Sequence, residues 1–313
     1  MVRQTQGYDT QVAFGKEATF GTAPAAGTFK SWGIIDSFEA EINKSHEAMR
    51  GLGSRTVLMT KAGQQEVSSS LSIYLQDPKI LYYALGKVVK TGAANAWIHT
   101  ITPVGRCEEL PSFTAQSNMC INGTPYVTNY LGSKIDNLTI SGSNDGPVTV
   151  EADIISKDFA DAATPASSYT TVLNNPLTFA DGVVTINGNT AGNVTEFEIE
   201  IANNLDAVYT ISKGNSPSMI SDGVLDVTGS LTIAVAYTAQ RALFTSGAEF
   251  DIKLRFDDPA VPANYIEITG IGARYDSDSL SNEADGAVDY ELDVLFRDIR
   301  IVAGSKDVSD LTV

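Results

Sequence analysis

Apolar and polar residues alternate strictly along Phe38–Asn43, Val148–Ile154, Phe197–Ile201 and Val288–Val294. A period of two sends one set of side chains to a buried face and the other to water, so each segment is a predicted strand. Turn dipeptides punctuate these runs: Asn122-Gly123, Asp145-Gly146, Asp181-Gly182, Asn187-Gly188, Asp222-Gly223 and Asp285-Gly286. Helical signals are sparse. Asp77–Gly86 carries an Asp cap, a Pro at the first helical position and a closing Gly; Thr238–Gly247 carries a Thr cap and a closing Gly. Each is only about two turns long and depends on packing against a sheet.

The pattern occurs twice. Gly63–Ile73 matches Gly223–Ile233 at an offset of 160, Phe38–Ile42 matches Phe197–Ile201 at 159, and Asp145–Asp153 matches Asp285–Asp293 at 140. Three blocks in one order indicate a duplication. The fold class expected is mainly β: two tandem β-sandwich domains, each with a short flanking helix. The first spans 1–160, with an N-terminal arm and an insertion of about 20 residues near 93–122, around Cys107–Cys120; the second spans 161–313. The small, polar stretch Asp158–Ala166 reads as the linker. Each copy holds a long irregular excursion, Asn43–Gly63 and Ala202–Gly223, of a size that usually serves contact or function.

The polar sides of the matched strands are acidic. Glu39, Glu41, Glu66, Glu151 and Asp153 in the first copy match Glu198, Glu200, Asp226, Glu291 and Asp293 in the second, where Asp289 matches Thr149. The outside of any antiparallel sheet is polar, which is one explanation. The other is a function, because an ordinary solvated face mixes Lys with Glu and these positions hold no basic residue.

Composition narrows the classes. Of 313 residues 43% are hydrophobic, enough for real cores, and 21 basic against 38 acidic side chains give a net charge of −17. Such a chain is not built to grip nucleic acid or an anionic membrane. His46 and His99 are too few for histidine-based catalysis or a His-rich metal site, and two cysteines do not make a disulfide scaffold. The first residues lack an apolar signal region, and no run is long enough to span a membrane, so assembly in the cytoplasm is the expectation.

Several short motifs point to one family. Gly15–Thr22, Gly51–Arg55, Leu110–Thr114 and Tyr130–Gly142 together resemble the tail tube (major tail) proteins of long, non-contractile-tailed phages, over most of the chain. The resemblance implies a β-sandwich with a flanking helix. It implies rings whose inner sheets join into a barrel, and stacked rings that conduct DNA. A duplicated chain is similar to the rarer members that form trimeric, pseudo-sixfold rings. It further implies a virion location, with the tape measure and tail terminator or tip proteins as partners. DNA would pass without specific binding, and no cofactor and no enzymatic role are implied. On this reading the eleven acidic residues line the lumen, and Arg50, Gly51, Leu52, Gly53, Ser54 and Arg55 form a loop that touches the next ring.

Other candidates carry less. Ser45-His46-Glu47 has the residue types of a triad, but neighbours on an extended chain point apart. Gly51–Arg55 lacks the Gly-Lys-Ser/Thr of a phosphate loop. Asp276–Glu283 has Leu280 and Ser281 where a calcium loop needs an oxygen ligand and Gly. Cys107 and Cys120 are expected as free thiols, with pairing across a hairpin the alternative. A secreted or surface adhesion or carbohydrate-binding β-sandwich is the alternative function; a sugar-cleaving site would need opposed carboxylates and aromatic platforms, and the only tryptophans are Trp32 and Trp97.

Overall fold

The computed structural model describes residues 4–144, 146–169, 175–211, 214–234, 238–281 and 289–312. In chain order the elements are β1 (Thr10–Lys16), β2 (Ile35–Met49), β3 (Met59–Tyr74), α1 (Lys79–Leu85), β4 (Gly86–Ala93), β5 (Ala96–Pro103), β6 (Phe113–Ile121), β7 (Thr124–Ser143), β8 (Thr149–Ser156) and β9 (Asp158–Asp161). They continue with β10 (Gly182–Ile186), β11 (Asn189–Thr190), β12 (Val194–Ala202), β13 (Asp206–Val208), β14 (Met219–Ser221), β15 (Asp226–Ile233), α2 (Thr238–Ser246), β16 (Phe250–Asp257), β17 (Tyr265–Ser281), β18 (Asp289–Phe296) and β19 (Asp298–Ser305). The protein is mainly β, as its alternation predicts.

Three larger antiparallel sheets form among the described residues. The longest runs β2-β3-β8-β7-β12-β15-β18-β17. A second runs β1-β6-β7-β9. The third runs β11-β10-β16-β17-β19-β5-β4. The long strands β7 and β17 belong to two sheets each. They cross from one to the other at Gly132 (φ 63°) and Gly272 (φ 62°), a left-handed bend that side-chain-bearing residues resist. A Cβ on Gly132 would come within 2.9 Å of Lys157 and 3.0 Å of the Phe20 ring.

Pairing registers repeat between the halves. Phe38 faces Leu71 and Leu71 faces Ala152; Phe197 faces Leu231 and Leu231 faces Leu292. Bulges repeat too. Asp136 is skipped between Ile135 and Asn137, and Asp276 between Tyr275 and Ser277, both against the neighbouring strand. The offsets of 159, 160 and 140 seen in the sequence therefore hold strand by strand.

The buried parity of the long sheet packs against the two covering sheets. Val67, Leu71, Ile73, Leu138, Ile140, Val150, Ala152 and Ile154 supply one end of the core, and Phe197, Ile199, Ile201, Leu231, Ile233, Leu292 and Val294 the other. Phe14 stacks on Trp32 with ring centroids 3.9 Å apart, and Tyr83 and Phe113 close that cluster. Such aromatic pairs add about 1 kcal/mol each beyond area burial. Helix α1 is buried throughout. Asp77 accepts the Lys79 N–H at 3.0 Å, and Gly86 closes the helix in the left-handed region with its N–H on the Tyr82 carbonyl. Burial pushes the Asp77 carboxyl above its ordinary range, with Lys79 opposing. The second helix is largely exposed and ends at Gly247, as its sequence predicts.

Three expectations need adjusting. The excursion Asn43–Gly63 is not irregular: β2 and β3 continue through it as a hairpin arm paired out to Met49–Met59. Both faces of the arm meet water, so no apolar alternation marks it. Among the described residues the second excursion contains the short hairpin β13–β14. Between α1 and β6 the first half carries hairpin β4–β5 and the turn after it, where the second half runs from Ser246 to Phe250; Cys120 sits in β6, whose counterpart is β16. The start of the expected linker, Asp158–Asp161, is a paired strand. Asp145 and Asp285-Gly286 lie outside the described residues.

Candidate functional site

The solvent face of the long sheet carries the acidic residues. Cross-strand register sets them in rows. Glu39 faces Ser70, which faces Asp153; Glu151 faces Thr139, which faces Glu200; Glu198 faces Ser230, which faces Asp293. Glu66 lies opposite Asn43 and Asp226 opposite Ala202, on the same parity. Glu291 lies opposite Ser279 and Asp289 opposite Ser281; the Asp289 side chain lies outside the described residues. The other ten fall on one face across both halves. Nine of them are exposed and Glu200 is partly so.

Their partners are small neutral groups. Asn137 Nδ2 donates to Glu200 Oε1 at 2.7 Å, Asn204 Nδ2 to Asp226 Oδ2 at 3.0 Å, and the Ser277 hydroxyl to Asp293. Among the described residues none of the ten pairs with Lys or Arg. The ion pairs present lie elsewhere, as in Lys87–Glu108, Lys253–Glu267, Arg255–Asp257 and Arg274–Glu249. Serine, threonine and carboxylate therefore make up a wall that is polar and uncompensated in charge.

Sequence reasoning missed three members of this face. Glu196, opposite Thr232 and Ser143, is exposed on the same parity; it sits one residue outside the matched block. Asp136 and Asp276 are the bulged residues, so period-two counting placed them on no face. They line two shallow troughs of about 390 Å³ each. Glu39, Glu41, Asp136 and Asp153 edge one trough, and Glu198, Glu200, Asp276 and Asp293 edge the other, at the sequence offsets already described.

The predicted contact loop lies at the tip of the arm. Arg50, Leu52, Gly53 and Arg55 are exposed; Gly51 and Ser54 are partly so. Leu52 is fully exposed, and Met49, Val57, Leu58 and Met59 surround the tip with further exposed apolar surface.

A buried carboxylate joins the other motifs. Glu17 accepts from the Gly21 and Gly132 N–H groups and from the Ser112 and Thr114 hydroxyls, each at 2.8 Å. Gly15–Thr22, Leu110–Thr114 and Tyr130–Gly142 thus meet at one point. The remaining candidates do not assemble. Ser45, His46 and Glu47 follow one another along β2, with His46 opposite Ala62 and Glu47 opposite Lys61. Asp276–Ser281 is strand; the rest of that acidic stretch lies outside the described residues. Among the described residues no group of His, Cys, Asp or Glu could hold a metal ion. Cys107 and Cys120 are free and not joined. Trp32 is buried in the core stack, which removes it as a sugar platform.

A comparison with curated proteins gives no match. Among solved structures the chain is similar to a component of a native gene transfer agent virion, at 15% identity and a TM-score of 0.31, covering 38% of this chain and 92% of that one. It is also similar to the SPP1 tail tube, at 12% identity and a TM-score of 0.26, covering 55% and 78%. The profile of the phage tail tube protein family matches residues 7–296. With a mainly β fold, an uncovered acidic sheet and that match over almost its whole length, the chain belongs to the phage tail tube protein family.

Proposed function

We propose that three copies of this chain close into a pseudo-sixfold ring and that stacked rings form the conduit for phage DNA. The observation that carries this is the long sheet: eight strands, one face packed, the other acidic and uncovered. Its end strands, β2 and the second half of β17, have no partner on their outer sides among the described residues. Unpaired edges invite another chain, and ring closure removes them. Each chain then supplies two tandem tail-tube-like domains, 1–160 and 161–313; the repeated registers support that division.

The strand count favours three chains. Twenty-four strands spaced ~4.8 Å apart give a backbone circumference of roughly 115 Å and a bore of roughly 37 Å before tilt, which leaves room for duplex DNA inside a lining of side chains. Six chains would double that and leave a wide void. The acidic residues would line the bore. A ring carries three times −17, a formal charge of −51, and carboxylates repel phosphate, so DNA slides rather than binds. The arm, tipped by Arg50–Arg55, reaches the next ring. Tape measure and tail terminator or tip proteins are the further partners, with assembly in the host cytoplasm before incorporation into the virion.

Electron microscopy of purified protein tests the reading. Threefold rings or short tubes are expected. A monodisperse monomer at high concentration, with no polymer even when tail components are supplied, overturns it; six chains per ring refutes the trimer alone.

A further inference from the structure

Resting on that ring, we infer that the joint between chains copies a joint already present within the chain, residue for residue. β12 pairs antiparallel with β7: Glu200 faces Thr139, Ile201 faces Leu138 and Ala202 faces Asn137. Asn203 N–H then donates to the Asp136 carbonyl at 2.7 Å, at the bulge. The repeated registers map β12 onto β2 and β7 onto β17. The free edges of the long sheet are therefore the same two strand types that meet in its middle. A second copy of this chain is the occupant they fit.

The mapping fixes the register. Glu41 of one chain faces Ser279 of the next, Ile42 faces Asp278, and Asn43 faces Ser277. The residue that meets the bulge is Asn203 inside the chain and Lys44 between chains, opposite Asp276. Lys44 and Asp276 are both exposed in the single chain. The internal contact is backbone to backbone: the Asn203 side chain turns to the Ala84 and Ile135 carbonyls, and the Asp136 carboxylate accepts the Leu205 N–H at 2.7 Å. By the same mapping the Asp276 carboxylate accepts the N–H of His46 in the adjacent chain, while Lys44 keeps its ammonium over the Phe159 ring.

Hydrogen bonds identify the pair to cross-link. Asn203 N–H on Asp136 O and Asn144 N–H on Thr195 O mark the odd-numbered residues of β12 as hydrogen-bonded. Glu200–Thr139 is then a non-hydrogen-bonded pair, the kind whose side chains approach more closely. Its counterpart, Glu41–Ser279, is suited to a disulfide.

With Cys107 and Cys120 replaced by Ser, the chain carrying E41C and S279C is assembled, oxidised and run on a denaturing gel. Covalent dimers and trimers are expected, at least tenfold above the shifted pair E41C and S277C. The internal pair T139C and E200C, which cross-links within one chain, verifies that this type of position is competent. Rings that form but give no excess at 41–279 overturn the register and leave the ring standing; absence of rings defeats the ring reading itself.

Discussion

The Glu17 carboxylate takes hydrogen bonds from Gly21 in its own turn and from two later stretches, Ser112–Thr114 and Gly132, which lie 95 to 115 residues away in sequence. It is 7% exposed, so its donors have little water to fall back on. A carboxylate suits four donors; an amide does not, because its NH₂ adds donors of its own. Glu17→Gln should lower stability by about 2 kcal/mol, the range for a buried charged acceptor whose donors lose a partner. Urea unfolding checks this, and an unchanged midpoint would show that the junction contributes nothing. The motifs that meet at Glu17 are visible in the sequence as separate words. Their meeting is not, since a contact between residues 17 and 132 leaves no local periodicity. The same holds for Lys134, which is buried and reaches Asp222 at 2.7 Å from the other half of the chain.

At the scale of elements, strands were legible where one face is buried and illegible where neither is. The segments Phe38–Asn43 and Phe197–Ile201 alternate because a core lies beneath them. The arm beyond Lys44 is just as extended, but both its faces are wet, so its sequence resembles a loop. Its pairing instead comes from the hairpin partner, down to Met49 opposite Met59. Replacing Arg50–Leu58 with Asn-Gly keeps that closing pair and supplies a favoured two-residue turn. The shortened protein should melt within a few degrees of the parent, because the removed residues cover no core. It should form rings that no longer stack into tubes under the microscope. Unfolding would instead make the tip part of the domain's stability.

The whole molecule shows what the duplication hid. Matching blocks reveal two copies, but nothing in the alternation says that β7 and β12 pair and turn two sheets into one. Strand neighbours are chosen by tertiary packing, which period two does not encode. The acidic parity, by contrast, was legible, since it is a property of alternation itself; it failed at the bulged Asp136 and Asp276, where counting by twos breaks, and at Glu196, one residue outside the matched block. Charge reversal tests what that face is for. Glu39, Glu151, Glu198 and Glu291 are exposed, so changing all four to Lys should leave the fold nearly intact. The net charge would move from −17 to −9. Assembled tubes of the variant should retain short duplex DNA at low salt and release it as salt rises, while the parent retains none. DNA-free tubes of the variant would remove the electrostatic role and leave the architecture in place.

Hairpin β4–β5 adds two strands to the edge of β19, so it straps the first half of the chain to the second. The second half has no such hairpin: Ser246 ends α2 and Phe250 begins β16. In a closed ring of three, every other joint would then be strapped. Pulled apart by heat, denaturant or force, the wall should fracture only at the three unstrapped seams and shed whole chains. Seen from outside, the straps would turn a nearly sixfold cylinder into a three-sided one, and any protein that docks on such a tail would find three equivalent berths per ring rather than six.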